Sequence, residues 1–122
     1  MSFAKRTLAA ALISAIGTIA AGQAHATHYT VACGTELNAV EAAIMAGLFL
    51  GKNASGDQGN LLAKLDAAAA KILLQKYADA IDKLEDVSNT ATALAGASKP
   101  KLDDATAINS SVRAAIGCVG SL

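Results

Sequence analysis

The chain predicts an all-α domain, an antiparallel up-down-up-down four-helix bundle closed by one disulfide. Three observations carry that prediction. Apolar residues make up 53% of the 122 residues while aromatics reach only 3%, and most of the apolar content is alanine and leucine, the residues that favour helix over strand. Four segments place apolar residues at three- and four-residue steps, and none alternates as a strand does. Two cysteines, Cys33 and Cys118, flank those four segments. In a bundle with an even number of antiparallel helices, the start of the first helix and the end of the last lie at the same end.

The elements follow in order. Residues 1–26 carry the three parts of an export signal: the positive pair Lys5 and Arg6, the apolar run Thr7–Ala21, and the small-residue pair Ala24-x-Ala26. The apolar run is short for a membrane span, so cleavage after Ala26 is expected, with no stable membrane span left behind. The remaining domain, residues 27–122, is expected to be periplasmic or secreted. The formal charge of the whole chain is zero, and loss of Lys5 and Arg6 makes the exported part mildly acidic. The first helix is expected over Glu36–Leu50, with Leu37, Val40, Ile44 and Leu48 on its apolar edge. Residues 51–59, rich in Gly, Asn, Ser and Asp, read as a loop. A second helix is expected over Asn60–Gln75, its apolar edge carrying Leu61, Leu62, Leu65, Ala68, Ala69, Ile72 and Leu73, and a third over Tyr77–Ala95, with a single long helix through 60–95 as the competing reading. Gly96-Ala97-Ser98-Lys99-Pro100 is the clearest break. The fourth helix begins near Asp103-Asp104, whose carboxylates suit the positive end of a helix dipole, and carries Ile108, Val112, Ala115 and Ile116.

In an exported chain Cys33 and Cys118 are expected to pair, because oxidising compartments let thiols form disulfides. Free buried thiols are the plainer alternative. Thr30-Val31-Ala32-Cys33 loosely matches a lipidation box, but the polar residues Gln23–Tyr29 separate it from the apolar run, and lipidation would leave Cys118 alone.

No catalytic, cofactor-binding or metal-ligating set is assigned. His28 is the one histidine left after cleavage, and it lacks convergent partners. Cleavage after Ala24 would instead expose His25 as an amino-terminal copper ligand assisted by His28, but Gly22-Gln23-Ala24 is the poorer signal. Asp79, Asp82, Glu85 and Asp86 lie opposite the Ile81–Leu84–Val87 edge and read as a solvated face, with Asp79 and Lys83 spaced for an ion pair. Asp57-x-Gly59 lacks the ligand series of a calcium loop. The triplets Asn53-Ala54-Ser55 and Asn109-Ser110-Ser111 match the glycosylation pattern. Balanced charge without a basic stripe argues against nucleic acid as a partner.

The stretch Asn60-Leu61-Leu62-Ala63-Lys64-Leu65-Asp66-Ala67-Ala68, followed by Tyr77–Leu84 and by Ala105–Ile116, resembles the FIMAH domain. That family comprises small helical modules of exported bacterial proteins, often attached to extracellular enzymes or adhesins. A preceding Leu37-x-x-Val40 helix fits as well, so the resemblance spans residues 37–116. The chain departs from the family at Val87, where an aromatic is usual, and at Gln75-Lys76, where a small turn residue is expected. The cysteine pair and the stand-alone format also depart from it. The resemblance implies an accessory or adhesion-type module with no catalytic residues to carry over. The expected function is therefore non-enzymatic binding of a protein or a cell-envelope or extracellular polymer. The alternative is a periplasmic carrier of a small ligand or metal.

Overall fold

The computed structural model describes residues 29–122; the expected signal segment and His28 lie outside them. Four helices occur among the described residues: α1 (Gly34–Ala46), α2 (Ala54–Leu73), α3 (Tyr77–Gly96) and α4 (Thr106–Gly120). There is no strand among them, only an isolated antiparallel bridge between Phe49 and Leu102. Each helix packs against its neighbours in the chain, and α1 also packs against α4. Cys33, just before α1, is bonded to Cys118, in the last turns of α4.

The core is built on a repeated spacing. In α2 the fully or nearly fully buried residues include Leu61, Leu65, Ala68 and Ile72; in α3 they are Ala80, Leu84, Val87 and Ala91; in α4, Ile108, Val112, Ala115 and Val119. All three runs step by four, three and four residues. Their mean of about 3.7 residues lies close to the 3.6-residue helical turn, so each run stays on one face of its helix. Leu37, Val40 and Ile44 supply the same edge of α1. Alanine at four of these positions lets backbones approach closely but limits the apolar area each turn buries.

Two boundaries differ from the sequence expectation by four or more residues. The first helix ends at Ala46 rather than Leu50, and Leu48, expected on its apolar edge, is 61% exposed. Beyond Gly47 the chain turns extended, and its backbone bonds to the segment before α4 instead of continuing the helix. The second helix begins at Ala54, so most of the expected 51–59 loop is helical. Gly51, at φ +85°, makes the turn, the Asn53 carbonyl accepts the Asp57 N–H at 2.9 Å, and the Gln58 side chain donates to the Ile44 carbonyl at 3.1 Å. The Ile44 carbonyl, which also accepts the Gly47 N–H at 3.2 Å, thereby ties the end of α1 to the first turns of α2 and helps hold a glycine-rich segment in helical form against its composition. The fourth helix continues past Ile116 to Gly120.

The 60–95 region is two helices. Gln75 takes the left-handed conformation, φ +60°, its N–H bonds to the Ile72 carbonyl, and the Lys76 N–H bonds to the Lys71 carbonyl, both at 2.8 Å. This is the Schellman closure of a helix end, in which the left-handed position is ordinarily glycine.

Candidate functional site

Three places gather polar or exposed apolar groups. The first lies where the chain enters α1. The Tyr29 backbone N–H donates to Asn38 Oδ1 at 2.7 Å, and Asn38 Nδ2 returns a bond to the Tyr29 carbonyl at 3.4 Å. The Tyr29 hydroxyl donates to Asp66 Oδ1 on α2, so one residue ties the entering chain to two helices. Gly34 makes that approach possible: a Cβ there would stand 2.4 Å from the Tyr29 carbonyl oxygen. Burial, and then the Asp66 carboxylate as hydrogen-bond partner and charge, push the Tyr29 hydroxyl well above its ordinary range, with the buried Glu41 adding to the effect. Beside this anchor, Glu36 and the two cysteines bring their ligand atoms within 4.8 Å of one another. Bonded to each other, the sulfurs offer no thiolate to a metal.

The second place is the junction between the end of α1 and the start of α4. Here the Asp103 N–H donates to the Leu48 carbonyl at 3.0 Å and the Leu50 N–H to the Lys101 carbonyl at 2.9 Å. Leu102, between them, is fully buried. Outside this clasp lies a hollow of about 250 Å³, lined by Ala43, Ala46 and Leu48 from one side and by Asp103, Asp104 and Ile108 from the other. Asp104 Oδ1 accepts the Thr106 N–H at 2.8 Å, which closes the first turn of α4 and holds the carboxyl below its ordinary range.

The third place is the α2–α3 turn. Leu73 is 72% exposed and Leu74 62% exposed, so Leu73 is not the core residue its spacing suggested. In a Schellman closure the residues on either side of the turn usually meet through an apolar contact. At this turn those positions are Lys71 and Lys76, and the leucines between them face solvent.

Of the residues singled out in the sequence, Cys33 and Cys118 are brought together, and His28 lies outside the described residues. Asp79, Asp82, Glu85 and Asp86 are exposed on α3. Asp79 and Lys83 do not form the expected ion pair; Asp86 instead reaches Lys64 of α2 at 3.5 Å. Asp57 sits in the first turn of α2, where a carboxylate is favoured by the helix dipole, and its buried Oδ2 has no hydrogen-bond partner. Asn109 of the second triplet lies in the α3–α4 seam: its side chain accepts from Ser88 at 2.7 Å and donates to Thr92 at 3.0 Å. No helix among the described residues is long and apolar enough to cross a membrane. The exposed leucines and the hollow were not visible as a site in the sequence, because Leu48 and Leu73 also fit a helical core edge. Compared with family models, with curated proteins and with solved structures, the chain finds no match, which neither supports nor contradicts the resemblance to the FIMAH domain.

Proposed function

We propose that the chain is an exported, non-enzymatic helical module, FIMAH-like in character, that acts by binding a protein or a cell-surface polymer. The observation that carries this reading is the pair Leu73 and Leu74, two large apolar side chains held out to solvent side by side at a hydrogen-bonded turn. Exposed apolar groups on a rigid turn gain free energy when a partner covers them.

The module is read as an antiparallel up-down-up-down bundle. Support comes from the order of contacts along each helix pair. Tyr29, just before α1, meets Asp66 while Ile44 near its end meets Gln58, so rising numbers along this first segment meet falling numbers on α2. Cys33 meets Cys118 and Leu48 meets Asp103, giving the same reversal between α1 and α4. The disulfide also fits an exported protein.

The test is retention. The purified protein is offered to envelope extract and to insoluble wall polymer, beside the double variant Leu73→Ser, Leu74→Ser. Saturable binding that the variant loses is the expected result; equal retention of both overturns this assignment of the surface. The carrier alternative would use the bundle interior or the His28 terminus, and native mass spectrometry retaining a small molecule or copper would favour it.

A further inference from the structure

The leucine turn and the α1–α4 hollow are complementary to each other. The turn offers two aliphatic side chains flanked by the cations Lys71 and Lys76. The hollow offers an apolar lining from Ala43, Ala46, Leu48 and Ile108, beside the exposed carboxylates of Asp103 and Asp104. Its volume of about 250 Å³ falls below the roughly 300–1,000 Å³ of pockets that enclose small organic ligands. It is of a size to take one or two aliphatic side chains.

One molecule cannot satisfy its own hollow. Gln58 is bonded to the carbonyl of Ile44 at the hollow end of α1, so α2 starts beside the hollow. Leu73 lies 15 residues further along the same unbroken helix, which at about 1.5 Å per residue is roughly 22 Å away. The partner must be another molecule.

We propose that a second copy of this chain is that partner: the Leu73–Leu74 turn of one copy seats in the α1–α4 hollow of the next, with Lys71 and Lys76 facing Asp103 and Asp104. The proposal rests on the reading of the leucine turn as a binding surface and names what it binds. A second copy accounts for both features at once, whereas an anionic lipid surface would account only for the leucines and lysines. Because the two faces differ, the contact is heterologous, and repeating it builds a ring or an open chain of molecules rather than a self-complementary pair. The contact is small, so association is weak and salt-sensitive.

Sedimentation of the oxidised protein over a wide concentration range tests this. The weight-average mass should rise with concentration, and the rise should shrink when salt is increased from about 0.01 M to about 1 M. Leu73→Ser with Leu74→Ser removes the turn, and Leu48→Ser with Asp103→Lys disables the hollow. Asp104 is left in place because it closes α4. Each variant alone should associate at least tenfold more weakly than the parent. Mixed in equal amounts, the two should form a pair and nothing larger, since each contributes the one face the other lacks. Circular dichroism of each variant separates lost contact from lost fold. A parent that stays monomeric throughout overturns the proposal, as does a mixture that stays monomeric while the parent associates. A monomeric parent that binds anionic vesicles through its leucines also overturns it, as does one that still holds envelope material through them. The last result would leave the binding-module reading standing.

Discussion

The α1–α4 seam and the α2–α3 seam are closed by different means. Helices α2 and α3 are consecutive, joined by Leu74, Gln75 and Lys76, and a turn of that length holds two helices together at little entropic cost. Helices α1 and α4 stand at opposite ends of the described chain, and both ends of their contact are fastened. One end has the disulfide, spanning a sequence separation of 85; the other has the Phe49–Leu102 bridge with its flanking backbone bonds. Strong links sit where connectivity gives no help. At the well-connected seam the leucines are released to the surface. The same residue type therefore does opposite work: Leu102 is sealed within one seam, while Leu73 stands outside the other.

The largest expected effect comes from cutting the fastened seam. Reduction, or Cys33→Ser with Cys118→Ser, should lower unfolding free energy by up to about 4.5 kcal/mol in the chain-entropy treatment of a loop this long. Denaturant midpoints with and without reductant measure it, and an unchanged midpoint would refute the role given to the bond. Next comes the contrast between the two leucines. Leu102→Ala should cost about 3 kcal/mol, as buried leucines do, whereas Leu73→Ala should stay within about 0.5 kcal/mol of the parent. Equal losses would erase the comparison.

A smaller effect is expected at the Tyr29 anchor. Its hydroxyl loses its proton at higher pH in the folded chain than in the unfolded one, so the unfolded state binds fewer protons once pH exceeds about 10. Stability from this group is complete below that pH and declines as pH rises above it, and Tyr29→Phe should flatten the decline in urea titrations. The smallest effect concerns Gln75, where Gln75→Gly should raise stability by about 0.5 kcal/mol by relieving a left-handed side-chain residue. A loss on that substitution would mean that the Gln75 side chain makes a contact worth more than the backbone relief.

Much of the fold is readable from residue spacing. Leu61, Leu65, Leu84, Ile108 and Val112 are buried as their helical steps require, and α3 does end at Gly96, with Ala97 through Pro100 leading out of it. What is not readable depends on partners distant in the chain. Leu48 continues the step that begins at Leu37, yet its carbonyl is held by Asp103, and that bond takes it out of the helix. Residues 54–59 have loop composition, and their first turns are held in part by Gln58 reaching back to α1. Gln75 offers no breaker signal, because the left-handed turn is fixed by the carbonyls of Lys71 and Ile72 rather than by its own preference. The candidate surface was hidden for a related reason: Leu73 matches a helical core step, and only the turn after it decides that it faces water.

The bond between Cys33 and Cys118 also changes what damage to the chain means. All four helices except the last residues of α4, and every connection between them, lie within the ring it closes. A single cut by a protease at the Gly51–Asn53 turn, at Gln75 or between Gly96 and Ala105 opens that ring without releasing a piece. The nicked molecule remains one covalent body, its helices still tethered by residues 33 and 118, and only a second cut or a reductant sets a fragment free.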